Sequence, residues 1–502
     1  MKRFTSVFIA AILSVSASLG LADARQAAAA PPPAAESNPF FSASPLPFQA
    51  PPFDRIKESD YAPAIEEGMK RQLAEIEVIA DSPEPPTFAN TLEAMERSGE
   101  LLTRVAKVFF SLAQSNTSET MQKIKADEAP KLAAHQDAIF LNSKLFARVK
   151  ALYDRREGLG LDPEARYLVE RYYLNFVRAG AQLSDSDKIV LRSLNQEEAK
   201  LTTEFTDKVL ADTNESAVVV ADKADLDGLS EGDIAAAAET AKERGMAGKW
   251  VLSLQNTTQQ PALASLANRA LRERLFQASS LRCNHGGGND TKAIVARLAE
   301  LRAQHAKLLG YAGYAAFVLD DQMAKTPENA EKLMTGLVPA ATGKARGEAV
   351  RMQKLIDAGK GGFQLGAADW EFYAEKVRKA EYDLDASQVR PYFELERVLR
   401  DGVFFSANRL YGITFKERKD IPVYQTDVRV FEVFDADGKS LALYYGDYFS
   451  RSNKSGGAWE DSFVDQSLLI GTKPVVFNVT NFTKPAPGQP ALLSFDDVTT
   501  LF

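Results

Sequence analysis

The sequence predicts a mainly helical protein with a small antiparallel β-sheet near its C-terminus. Three observations carry that expectation. From Phe53 to about Gly412, apolar residues recur almost throughout at helical spacing. After Gly412 the texture changes: "TDVRVFEVFDADGKSLALYYGDYF" alternates on either side of Asp437-Gly438, a hairpin signal. The last residues, "SFDDVTTLF", then read as a helix entry. The chain divides accordingly into a signal peptide at 1–24, an Ala/Pro-rich linker at 25–52, a helical region at 53–415 and a β-containing stretch at 416–502.

The N-terminus has the marks of an export signal. Lys2 and Arg3 precede an apolar stretch, and Ala22-Asp23-Ala24 fits a small-residue cleavage site. The purely apolar run is short for a membrane span, and no stop-transfer flank follows. "RQAAAAPPPAAESNPFFSASPLPFQAPP" then reads as a tether without a packed core of its own. A single cysteine, Cys283, excludes an internal disulfide. Asn-x-Ser/Thr sequons, among them Asn116, Asn214, Asn256, Asn478 and Asn481, matter only in a glycosylating host. The lean signal and the scarcity of cysteine point to a periplasm, with no membrane attachment once the signal is cleaved.

Composition is that of a globular protein, 45% hydrophobic and 25% charged. The net charge of -8 and the lack of a strongly basic block argue against nucleic acid as a partner.

Within the helical region, Ser184 and Asp187 stand at capping-box spacing. Val190, Leu194, Leu201, Phe205 and Val209 then share one face. Ile294, Leu298, Leu301, His305 and Leu308 form a second stripe, and Trp370, Tyr373 and Val377 a third. "RPYFELERVLRDGVFFSANRLYG" reads as a helix with Pro391 near its first turn and Gly412 at its end. "KPVVFNVTNF" is a β-rich run. In the final stretch Asp496 or Ser494 can cap a helix, with Val498, Leu501 and Phe502 on its apolar face. About seven residues is too short for a helix to stand alone.

Self-evident chemistry is scarce. Among His135, His285 and His305 no two are four residues apart, and none belongs to an H-E-x-x-H pattern. His305 reads as a packed or hydrogen-bonded core histidine. Cys283 and His285 are two donors where a closed zinc site needs about four. Gly286–Gly288 lack the Lys-Ser/Thr of a phosphate loop and read as a connection before a helix capped by Asn289 or Asp290. No G-x-S-x-G occurs.

A resemblance reaches further than periodicity. "PPTFANTLEAMERSGELL", "LRAQHAKLLGYAGYAAF", "DWEFYAEKVRKAEYDLDASQVRPYFELERVL" and "GGAWEDSFVDQSLLIGTKPVVFNVTNFTKPAPGQPALLSFDDVTTLF" resemble the thimet-oligopeptidase family of zinc metallopeptidases. They are most similar to its bacterial peptidyl-dipeptidases, also called dipeptidyl carboxypeptidases. The similarity runs from about Phe53 to Phe502. It implies a helical, two-lobed, zincin-like body with a deep channel, and activity on short unfolded peptides.

In that family the segment resembling "DDVTTLF" runs directly into H-E-x-x-H, whose two His bind zinc and whose Glu activates water. The resemblance therefore implies zinc in the complete enzyme, no catalytic or metal residue within these 502 and none bound by this chain alone, an incomplete catalytic lobe, and an inactive chain. A separate C-terminal fragment is a conceivable partner. An endo-acting oligopeptidase and a non-catalytic peptide binder are the alternatives.

The family's R-E-G-K-R-G-G-A-W-like loop is here "RSNKSGGAW", departing at Ser452, Asn453 and Ser455. Trp459 is expected to pack in the interior. In peptidases built this way an edge strand often pairs with the substrate backbone. The β-rich run makes Val476, Phe477, Asn478, Val479 and Thr480 the candidate substrate-binding residues; the competing reading is an interior strand paired on both sides.

Overall fold

A computed structural model describes residues 38–255, 260–383 and 386–502. The expected signal peptide, linker residues 25–37 and the sequon at Asn256 lie outside the described residues. The chain is mainly helical, as expected. The helices are α1 (Tyr61–Ala80), α2 (Glu100–Ser115), α3 (Glu119–Phe140), α4 (Ser143–Arg155), α5 (Pro163–Arg178) and α6 (Asp185–Glu215). They continue with α7 (Glu231–Glu243), α8 (Arg269–Ser280), α9 (Lys292–Leu308), α10 (Tyr314–Asp320), α11 (Pro327–Ala358) and α12 (Trp370–Tyr382). Among the described residues no helix is long and apolar enough to cross a membrane.

The local signals explain most of these boundaries. Ser184 caps α6 and accepts from the Asp187 backbone N–H. The stripe predicted on α6 is shifted by one residue at its start: Leu191 is fully buried and Val190 is half exposed. Ile294, Leu298 and Leu301 of α9 are buried as predicted.

The expected helix at Pro391 begins later. Pro391 sits in a single 3-10 turn, Arg390–Tyr392, which Phe393 N–H closes on Arg390 O at 2.9 Å; beyond it Leu395 N–H bonds Ala491 O and Leu493 N–H bonds Phe393 O. This two-way tie to the C-terminal segment holds Glu394 extended, and its side chain caps the helix that follows. That helix, α13, runs Leu395–Arg397, a π-helical stretch Val398–Phe404, then Phe405–Tyr411. Gly412 ends it at φ +76°, the left-handed geometry that suits glycine.

Two features depart from the expected organisation. Residues 38–52, read as tether, are packed: Phe40 and Ala50 are buried in the same core as α1 and α2. A two-stranded sheet, β1 (Val218–Val220) with β2 (Trp250–Leu252), interrupts the helical region and shares a core with α7 and α8.

The main sheet comprises β3 (Thr414–Arg418), β4 (Arg429–Phe434), β5 (Ser440–Phe449), β6 (Trp459–Val464) and β7 (Val475–Phe482), in the order β3-β4-β5-β7-β6. β4 and β5 form the predicted hairpin, with Gly438 at φ +80°. The sheet is mixed rather than antiparallel, because β7 lies parallel to β5. One face packs on α1 and α2 through Val430, Leu443, Tyr445, Phe463 and Phe477. The other packs on α13 through Phe431, Tyr448 and Phe482. The final helix, α14 (Phe495–Leu501), is capped by Ser494 and Asp497 reciprocally, and Leu501 buries into this second core. That tertiary packing stabilises a helix too short to persist alone.

Candidate functional site

The residues proposed for substrate contact lie on β7, and topology corrects the edge-strand premise. After β5 the chain makes β6 first, then returns and inserts β7 between them. Val475 to Val479 pair with β5 on one side and with β6 on the other. An incoming strand therefore finds no free backbone there. Side-chain alternation divides the five residues further. Phe477 and Val479 are buried in the core under α1 and α2. Thr480 is buried too, its Oγ1 donating to Tyr448 O at 2.7 Å. Val476 and Asn478 are half-buried on the opposite face, and Asn478 Oδ1 is itself buried with no hydrogen-bond partner.

The sheet instead ends at β3 and β6. β3 is crossed by charge pairs: Arg418 bonds Glu432, and Arg429 bonds Glu417 at 2.9 Å. β6 pairs only with β7 among the described strands. Glu460 and Asp461 on it are exposed. Trp459 is partly buried against the first core, as expected of it in kind though not in degree. From beneath, Lys107 of α2 reaches Asp461 (3.3 Å), Ser462 (3.2 Å) and Asp465 (3.0 Å).

The loop that delivers the chain from β5 to β6 is held by a buried charge cluster. Asp447, on β5, is fully buried. Arg451 donates to both of its carboxylate oxygens, at 2.7 and 2.6 Å, and Lys454 Nζ to Oδ1 at 2.9 Å. Tyr424 donates its hydroxyl to Oδ2 at 2.7 Å. Burial drives the Asp447 carboxyl upward, but the Arg451 bond and the two cations outweigh it, leaving it below the usual carboxylate range. Burial lowers the Lys454 amine to about 8 against the pull of Asp447.

These are the two basic residues that "RSNKSGGAW" keeps from the family-like loop. Of the three departures, Asn453 binds the end of α2, donating to Asn116 Oδ1 and Thr117 O at 3.1 Å each. Ser455 N–H donates to Gln114 O at 2.7 Å through the backbone, which any residue but proline supplies. Ser452 O accepts from Asn214 of α6 at 2.7 Å. The sequence reading missed this cluster, although an Asp four residues before an Arg and seven before a Lys was its visible signal.

The catalytic zinc implied by the family resemblance takes three protein donors and keeps a further position for water or substrate. Among the described residues no three His, Cys, Asp or Glu side chains gather in a way that could hold a metal ion. His135 Nε2 bonds Gln72 Oε1 at 2.7 Å in the interior. His305 packs near Phe317 with neither ring nitrogen bonded, so it is a packed histidine. His285 Nε2 bonds Asp212 Oδ1 at 2.7 Å, and Cys283 N–H bonds Asp212 Oδ2 at 2.7 Å. Cys283 and His285 thus share a buried carboxylate through a backbone N–H and a ring, which fastens their loop to α6. Asp290, one of the two expected caps, accepts from the Lys292 N–H at the start of α9. These donors do not fit a zinc ion.

Comparison with known proteins gives consistent findings. The family profile "Peptidase family M3" matches residues 262–502. A dipeptidyl carboxypeptidase of Escherichia coli is 52% identical over 465 residues, covering 93% of this chain and 68% of the relative. The dipeptidyl carboxypeptidase of Salmonella typhimurium is 50% identical, with the same coverage. Oligopeptidase A of Escherichia coli is 28% identical, covering 91% of this chain and 68% of the relative.

Proposed function

The chain belongs to peptidase family M3, and we propose that it forms the peptide-holding part of a peptidyl-dipeptidase, which releases C-terminal dipeptides from short, unfolded oligopeptides. The identity of 52% with a dipeptidyl carboxypeptidase, against 28% with an oligopeptidase, carries the choice between those activities.

The free edge at β6 is the docking line. An extended peptide added there gains main-chain hydrogen bonds that read no sequence, which suits varied substrates. Val476 and Asn478, one strand in, remain the proposed side-chain contacts on the face toward α14. We propose that the polypeptide of these 502 residues holds peptide without hydrolysing it, a reading that an assay for released dipeptide with and without zinc tests.

Amide hydrogen exchange with and without an unstructured octapeptide tests the docking line. Protection gained at Trp459–Val464 is the expected result. Protection confined to β3, or to helices away from the sheet, contradicts it.

A further inference from the structure

We propose that Lys454 and Arg451, gathered on Asp447, are positioning residues that set the free β6 edge for peptide docking. The proposal rests on the docking reading above and adds the residues that shape the edge.

The cluster sits in the loop that leads the chain from β5 into β6. Lys454 is fully buried, and each of its three Nζ bonds ends on β5: Asp447 O (3.1 Å), Asp447 Oδ1 (2.9 Å) and Phe449 O (2.8 Å). The loop's middle is thereby tied to the strand it has just left. Arg451 adds a bond to Ser115 O at 2.7 Å, placing a cation on the last carbonyls of α2. Downstream, Asn481 of β7 donates to Ser455 O (2.9 Å) and Gly457 O (2.7 Å). The chain thus enters Trp459 from a path fixed at both ends, by the charge cluster and by β7.

A stabilising role alone is a poor explanation for this choice of residues. Burying one carboxylate with two cations leaves net positive charge in the interior, and buried ion clusters are weak sources of stability compared with apolar packing. What such a cluster does provide is one allowed geometry.

The cluster also supplies a readout that packing does not. The charged and titratable groups facing Lys454 Nζ are Asp447 on β5, Arg451 on its own loop, and Asp427 and Tyr424 from the segment before β4. Asp427 is already paired with Lys484 at 2.7 Å. As pH rises through about 8, Lys454 gives up its charge. The charge-assisted bonds to β5 then weaken, and the β6 edge loosens.

Exchange at Trp459–Val464 in the full chain, measured without peptide from pH 7 to 9 and corrected for intrinsic base catalysis, tests this. In the native protein β6 protection falls with a midpoint near 8 while β4 and β5 hold. Lys454→Met, which keeps Arg451 on Asp447, abolishes that midpoint, speeds β6 exchange roughly tenfold and weakens octapeptide binding by about the same factor. Arg451→Lys, which keeps a cation, retains the midpoint.

A flat native profile at β6, or a Lys454→Met protein whose β4, β5 and β6 all loosen together, overturns the positioning role. Native chain that shows the midpoint but gains no β6 protection from peptide leaves the positioning role standing and defeats the docking reading.

Discussion

At the scale of single residues, buried titratable groups give the chain a defined response to acid. His135 is 4% exposed, and its one hydrogen bond, to Gln72 Oε1, places the proton on Nε2 and leaves the ring neutral. Burial lowers its pKa to about 4. In the unfolded chain a histidine titrates near 6.5. Between those values the unfolded state binds a proton that the folded state refuses, so stability is lost as pH falls from about 6.5 through about 4. The loss attributable to this side chain is at most ~3 kcal/mol. His135→Gln keeps a donor for Gln72 and removes the titration. Thermal melts of both proteins from pH 7 to 4 are expected to show a shallower decline in the variant; parallel curves contradict the assignment.

Residues were also where the sequence was least legible. Asp437-Gly438, Ser184 and Ser494 act on their own backbone neighbourhood, so spacing alone exposes them. Asp447, Arg451 and Lys454 look like ordinary surface charges in a Gly- and Ser-rich loop. Only the fold, by closing that loop over β5, removes them from water.

At the scale of elements, α1 and α2 touch backbone to backbone. A Cβ built on Gly68 would lie 2.8 Å from Leu102 Cα and 2.9 Å from Leu102 N, closer than a methyl group can sit. Gly68→Ala adds helix propensity worth ~1 kcal/mol but forces the two helices apart. Overpacking of this kind costs about 1–3 kcal/mol, so a net destabilisation is expected. Urea denaturation should show a lower midpoint at unchanged slope; a raised midpoint would mean the helices separate freely.

The strands show why edge and interior were exchanged in the sequence reading. "VVFNVTNF" reads as a candidate edge because it is the β-rich run nearest the segment that in the resembling family leads into the zinc-binding helix. Its side chains already lean toward the interior, since Val475, Phe477, Val479 and Phe482 are all buried. "WEDSFV" carries the acids that exposed edges tolerate. Strand order, however, depends on a return of the chain after β6, which leaves no local mark. The three-residue strands β1 and β2 were equally invisible, being shorter than any alternation that sequence can display.

At the scale of the molecule, the mixed sheet is the piece that joins the helical regions. Its two faces belong to different cores, one with α1 and α2, the other with α13 and α14. The helical class and the place of the sheet were readable because long periodic stretches record burial directly. The packing of residues 38–52 was not, because Ala and Pro dominate its neighbourhood while Phe40 and Ala50 do the anchoring.

Peptide binding on the sheet edge without zinc-dependent hydrolysis is the behaviour proposed for these 502 residues. The most direct test is to incubate the 502-residue polypeptide with an N-blocked tetrapeptide, with equimolar zinc and with chelator, and to assay released dipeptide. No release under either condition, from a protein that still gains β6 protection from peptide, is the predicted result. Zinc-dependent release of the C-terminal dipeptide would contradict the claim.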